Sequence, residues 1–302
     1  MMMTNHQKGL LAISSTALIL GTFGVLIRIL AETFSDAGQV FIRSVFATIT
    51  ITLVLLYKRT NPFLVEHNHK KYIVAFSLFF PLSILCFTIS ANQIKVSNSL
   101  FMLYVGSLIS TALFGKFLFK EKFSFRHILS LILVLVGLLF FIYPFSIESV
   151  SFGLLLGILS GLLEGSTHAM RKLMSGIKRE TIVFWQSFSG IMIAGLFFFM
   201  SNESILKDFH YSGIFTAVIF GILLVVIGYL LAYGFSNFDV NLGTIVLATE
   251  LFFALIINSI VLKEIPTAYE IIGGLFIFTG AIVTSLKLNI NAKELAISSA
   301  KS

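Results

Sequence analysis

The sequence predicts an all-α integral membrane protein of ten transmembrane helices, built as two inverted five-helix repeats. Three observations predict it. The 302 residues are 57% hydrophobic and only 12% charged, more apolar surface than a soluble chain can hide from water. Apolar stretches of about 20 residues recur, each long enough to cross roughly 30 Å of hydrocarbon as a helix. The chain also repeats itself at one offset of 143 residues without a gap. Arg28 is answered by Arg171, Phe41 by Phe184, Asn98 by Asn241, Lys120-Glu121 by Lys263-Glu264 and Gly137 by Gly280; Arg43 is answered by Gln186. Residues 1–146 form the first repeat and 147–302 the second, which ends in a short polar tail. Five spans per repeat is an odd number, so the second copy must lie upside down, and inverted repeats in a membrane typically mark a transporter. The stretches are continuously apolar rather than alternating, which excludes a β-barrel.

Taken in order, the spans read about 9–30, 37–57, 71–92, 97–119, 125–144, 151–173, 181–200, 211–235, 240–262 and 267–287. The first is too long for a cleaved signal and is expected to stay as a helix. Pro81 lies inside the third and predicts a kink with a freed carbonyl. Pro144 ends the fifth, and Pro144 to Val150 link the halves. Pro266 falls in the first turn of the tenth, where its missing N–H costs little. The third-to-fourth and eighth-to-ninth connections are about four residues, so those neighbours are antiparallel; Ser97 or Asn98 and Asp239 are expected to cap the helices that follow. The tail from Asn289 reads as frayed.

A net charge of +7 invites a nucleic-acid reading, but its placement explains it better. An N-terminus inside the cell leaves only Arg28, Arg43, Lys95, Lys207 and Lys263 of the 21 lysines and arginines in the outer half. The positive-inside rule therefore puts both termini in the cytoplasm. Cys86 stands alone, so no disulfide, zinc or redox motif forms within one chain. No phosphate-binding Gly-x-x-x-x-Gly-Lys-Ser/Thr occurs, so this chain does not use ATP by that route.

The chemistry-bearing residues are few. Glu164 and Glu250 fall near mid-membrane, where a charge costs several kcal/mol unless paired, hydrated or neutralised. Such residues face cavities or form buried pairs, and Arg43 is the expected partner. His168 and Arg171 follow Glu164 at helical spacing on one face. Glu250 shares its face with Gly243, Leu247, Ala254 and Ile257; its repeat mate Ser107 sits with Leu100, Tyr104 and Thr111, and the two faces are expected to meet on the pseudo-twofold axis. Trp185, Gln186, Tyr229 and Tyr233 complete the candidates, each equally readable as an interfacial anchor or interhelical hydrogen bond. Gly153, Gly157, Gly161 and Gly165 form a stripe that lets another backbone approach closely, for static packing or for sliding. Lys120-Glu121 and Lys263-Glu264 read most simply as interfacial charges that fix helix depth.

These residues resemble the EamA-like family of the drug/metabolite transporter superfamily. The ninth and tenth spans carry the resemblance, with Glu250 and Glu264 fourteen residues apart, Ala254 between them, and Gly273, Gly274 and Gly280 beyond. The pattern recurs more weakly from Ser107 to Glu121 and Gly137. Arg43 fits an arginine of the family's second span, and Arg171-Lys172 the Arg-Lys pair after the sixth. There are departures: Leu251 stands where proline is usual, Gly21 lacks the usual preceding tryptophan, and Glu164 holds a charge where one is not typical. The resemblance implies a ten-helix carrier whose cavity is lined by spans 1, 3, 4, 6, 8 and 9, with spans 5 and 10 peripheral.

The reading is a secondary transporter of a small polar organic solute, an amino acid or related metabolite, working by alternating access in a cell membrane; the composition fits a bacterial inner membrane. Its partners are that solute, a coupling proton if a gradient drives it, and the lipid bilayer; no cofactor or nucleic acid is implied, and a homodimer is left open. The rival from another class is a membrane-embedded enzyme acting on a lipid-linked substrate, with Glu164 and His168 as acid and base.

Overall fold

A computed structural model describes residues 3–121, 124–141, 151–201, 204–263 and 265–299; of the side chains at 141, 201 and 285–299 nothing is said. The described residues form twelve helices: α1 (Asn5–Leu20), α2 (Phe23–Thr33), α3 (Asp36–Tyr57), α4 (His67–Gln93), α5 (Val96–Phe117), α6 (Phe125–Phe141), α7 (Phe152–Leu173), α8 (Arg179–Ser201), α9 (Tyr211–Asn237), α10 (Val240–Leu247), α11 (Glu250–Val261) and α12 (Ala268–Ser299). Seven stretches are long and apolar enough to cross a membrane, counting α1 with α2 and α10 with α11; α6 and the start of α12 are shorter apolar helices. The 22-residue α7, which carries Glu164, Arg171 and Lys172, completes ten spans. The first and ninth are broken helices. Large apolar side chains such as Leu53, Leu56, Phe117, Leu139, Phe199, Phe215 and Ile260 point outward, as a lipid-facing belt requires.

Short links fix alternating directions. Only Ile94-Lys95 separate α4 from α5, and only Phe238-Asp239 separate α9 from α10, tighter than the four residues expected. The N-terminus, the α3–α4 link, the α7–α8 link and the α9–α10 link share what we term the basic end. At the opposite end, the loop after α2 is sewn to residues 204–207. Ser35 N–H donates to the Ile205 carbonyl (3.1 Å) and Lys207 N–H to the Thr33 carbonyl (2.9 Å).

The inverted repeat shows in contacts that the pseudo-twofold axis exchanges. A side chain at Gly137 of α6 would strike the Gly273 carbonyl of α12 (2.6 Å), and one at Gly280 of α12 the Ser130 carbonyl of α6 (2.9 Å). Gly280 and Ser130 are the repeat mates of Gly137 and Gly273. Lys120 and Lys263, also mates, end their spans in the left-handed region at φ 50° and 56°, the conformation that commonly terminates a helix. Tyr104 Oη donates to the carbonyl of its own mate, Leu247 (2.8 Å), so this bond lies across the axis and the two faces meet there.

The halves are nevertheless not in the same conformation. The glycine stripe of α7 is locked against α5 and the turn before it. A side chain at Gly157 would meet Met102 Cβ (2.8 Å), one at Gly161 would run into the Leu103 carbonyl, and one at Gly165 would reach the Ser107 carbonyl (2.6 Å). Both α5 and α7 are continuous. Their mates are the broken spans. The breaks lie at Gly21-Thr22 and Ala248-Thr249, where Thr22 and Thr249 each turn a hydroxyl onto the carbonyl three residues back (2.7 Å) and the turns tighten to i→i−3 bonds. The broken spans cross there, with Gly21 against Phe253 and Ala254.

Several expectations are corrected. Pro81 sits inside α4, which stays helical from His67 to Gln93, as a kinked helix also does; the breaks in helix lie elsewhere. Leu251, in place of proline, does not prevent a break just before it. Neither Ser97 nor Asn98 caps α5, whose N-cap is Lys95, and Asp239 caps α10 without a side-chain bond. The carboxylate of Glu121 accepts from Val240 N–H (2.8 Å) and Asn241 N–H (3.3 Å) instead, while holding Lys172 at 2.9 Å, so it joins three spans rather than merely setting depth. Glu264, Pro144 and the 144–150 link lie outside the described residues. The backbone of α12 stays helical to Ser299, past the point where fraying was expected.

Candidate functional site

A cavity of about 70 Å³ lies in the middle of the bundle, room for only a few water molecules. Its wall is mostly apolar, with Phe23, Phe80, Phe87 and Phe220 among the aromatic contributors, and its charged members are Arg43, Glu164 and Glu250. The lining comes from spans 1, 3, 4, 6, 8 and 9, and also from span 2 through Arg43.

Each charge is placed differently. Glu250 is 5% exposed and is the first residue of α11, so the break in span 9 puts a carboxylate at a helix N-terminus, where the dipole favours it. Tyr104 Oη is hydrogen-bonded to it as well, its single proton shared between this carboxyl and the Leu247 carbonyl. Glu164 is half-buried and its backbone carbonyl takes the Thr167 hydroxyl (2.7 Å). Its repeat mate, Gly21, packs against Phe253, which explains why one repeat holds a charge where the other needs no side chain. Arg43 is 2% exposed. It donates to Thr88 Oγ1 (2.7 Å) and stacks over Phe220 (4.6 Å), while its Nε has no partner. The expected Arg43–glutamate pair does not form: among the described residues no carboxylate lies within ion-pair reach of it.

The basic-end side of the cavity is filled by a polar cluster. Arg171 is 1% exposed. It donates to Thr167 Oγ1 (3.0 Å) and Gln186 Oε1 (3.2 Å) and lies over Phe76 (5.0 Å) and Phe80 (5.5 Å). It also contacts His168 Nδ1 at 3.1 Å. A guanidinium can only donate, so Nδ1 accepts and carries no proton. His168 stacks on Phe235 (4.4 Å). No hydrogen bond joins it to Glu164, so the acid–base pair of the enzyme reading is not assembled.

The other candidates are scattered. Ser107 is buried with its hydroxyl unpartnered. Trp185 donates to the Pro62 carbonyl (3.1 Å) and pins the α3–α4 link with Phe63. Tyr229 borders a separate basic-end cavity of about 360 Å³ with Lys58 and Glu180, which form an ion pair. Sequence reasoning missed Ser83 and Ser160. Both line the central cavity, and each donates its hydroxyl to the other's carbonyl (2.9 and 2.8 Å), tying α4 to α7. Their one sequence signal was a serine near the middle of each of two apolar spans.

Among the described residues no cluster of three or more histidine, cysteine, aspartate or glutamate side chains could hold a metal. A family model described as the EamA-like transporter family matches twice, over residues 7–143 and 151–286. The chain belongs to the EamA-like transporter family. It is a multi-pass membrane protein built of two EamA repeats, and the family is one of transporters. No curated protein matches it. One solved structure, titled only as the crystal structure of a protein, is similar with a TM-score of 0.75 at 14% identity, covering 93% of this chain and 98% of its own. That likeness shows the fold.

Proposed function

We propose that this EamA protein is a secondary transporter that moves a small polar organic solute, an amino acid or related metabolite, by alternating access. The observation that carries the reading is the central cavity between the two halves. It holds two carboxylates and one guanidinium without an ion pair in a mostly apolar wall at mid-bundle. Charges at such depth are costly and mark solute or ion pathways. The broken spans beside it are the kind of element that builds transporter sites, with a half-helix terminus and loosened carbonyls at the cavity. A zwitterion of amino-acid type matches both signs of charge. Glu164, which has no ion-pair partner among the described residues, is the group we assign to a coupling proton or to the solute's ammonium. Both termini are assigned to the cytoplasm, because the basic end then faces inward.

The test is uptake and counterflow of radiolabelled amino acids in sealed proteoliposomes, with Glu250→Gln beside the parent. The amide oxygen still accepts from Tyr104, so the variant inserts and melts close to the parent. Uptake falls about tenfold or more, a loss of at least ~1.4 kcal/mol. Parent-level uptake by Glu250→Gln with an unchanged pH profile removes Glu250 from the mechanism.

A further inference from the structure

On the basic-end side of the central cavity, Arg171 of α7 donates to Gln186 of α8 (3.2 Å). Helix α7 packs on α4, α5 and α9, and α8 packs on α3, α4 and α9. The bond therefore ties α7 to α8 with α4 and α9 on its flanks. The repeat mates of these two residues are Arg28 and Arg43, on α2 and α3 at the opposite end. Here they do not bridge. Arg28 is half-buried and donates to the Ile94 carbonyl (3.2 Å), and Arg43 turns to Thr88 with its Nε unpartnered.

Inverted-repeat carriers change state when the two halves exchange conformations. The halves differ here in the required way, with α5 and α7 continuous and their mates broken. Exchange would bring Arg28 and Arg43 into the arrangement now held by Arg171 and Gln186. An arginine facing a glutamine closes with a hydrogen bond. Two guanidiniums cannot, since both only donate and like charges repel strongly away from water. An acceptor must lie between them, and a planar carboxylate suits two forks at once.

We propose that the solute bears a carboxylate, and that Arg28 and Arg43 clamp it when the opposite end closes. The clamp rests on the carrier reading and narrows its solute class. It has a kinetic consequence. The empty carrier lacks the anion that lets this end shut, so exchange of solute for solute outruns net flux.

A Ser83→Cys reporter in a Cys86→Ser background reads the gate. A membrane-impermeant maleimide is applied to sealed vesicles from the side that the opposite end faces, in sodium chloride, sodium acetate, or chloride with acetamide. Acetate slows labelling several-fold and acetamide does not. Arg43→Gln, which restores the arginine–glutamine pairing of the other half, labels slowly in chloride already. Arg28→Gln acts the same way, and serves if Arg43→Gln melts out of the membrane. Equal labelling in acetate and chloride, as when a carboxylate of the chain itself neutralises the pair, overturns the clamp. So does an Arg28→Gln or folded Arg43→Gln chain that labels like the parent. Acetate-dependent protection in a chain that moves no amino acid keeps the clamp and removes the carrier reading; transport without that protection does the reverse.

Discussion

At the residue scale, Glu164 separates solute recognition from structure. It faces the cavity without a hydrogen-bonded partner for its carboxylate, so the helix does not depend on its charge. Glu164→Gln is expected to melt within a few degrees of the parent. A cationic or zwitterionic solute then binds more weakly, by about tenfold for one lost charge-assisted contact, while exchange of an analogue that keeps the carboxylate and lacks the ammonium persists. If Glu164 carries the proton instead, pH-driven accumulation disappears and counterflow remains. Affinity, pH dependence and melting temperature of that one variant decide, and a lowered melting temperature with unchanged affinity and pH profile marks a structural glutamate. The two glutamates and Arg43 were legible in the sequence because charge in an apolar run announces itself. Their separation was not. Arg43 was expected to pair with a glutamate, but periodicity assigns a face and cannot say that Thr88 and Phe220, on two other spans, would take the guanidinium first. Arg171 shares a face with Glu164 and His168 by its spacing, but spacing does not show that Phe76, Phe80 and Gln186 enclose it.

At the element scale, the informative features are the two breaks. Proline was the signal sought, and Pro81 is accommodated in a continuous helix while spans 1 and 9 break at Gly21-Thr22 and Ala248-Thr249. The cause is packing and local bonding. The threonine hydroxyls compete for carbonyls of the preceding turn, and the crossing at Gly21 against Phe253 leaves no room for a straight passage. Because the bend precedes Leu251, its N–H bonds only three residues back, to the Ala248 carbonyl (3.1 Å). It occupies the first turn of α11, where proline is tolerated. Leu251→Pro is therefore expected to cost well under the ~3 kcal/mol of a mid-helix proline and to leave uptake near the parent's. Thermal unfolding and uptake check it, and a collapse of either would mean that the bend is looser than drawn. The span boundaries, by contrast, were legible within a few residues, because about 20 apolar residues in a row admit few other structures. Capping was not, since the groups that satisfy the start of α10 come from Glu121, far away in sequence.

At the scale of the whole molecule, the repeat offset carried the fold: five spans per half, two halves, opposite orientations. Orientation in the membrane follows from charge alone and is tested by labelling. A Thr60→Cys reporter in a Cys86→Ser background is expected to stay silent to an impermeant reagent added to intact cells and to react after lysis; labelling from outside would reverse the topology. The seam between α6 and α12 leads somewhere else. Gly137 meets Gly273 and Gly280 meets Ser130, and swapping the halves turns each contact into the other. These contacts are unchanged by the swap, so under the proposed alternating access the seam would be the stator of the machine. A short chemical staple between cysteines at positions 140 and 276, where Phe140 and Phe276 stack at 5.7 Å, should leave uptake running, and a stapled carrier that stops dead would show that this ridge turns with the rotor.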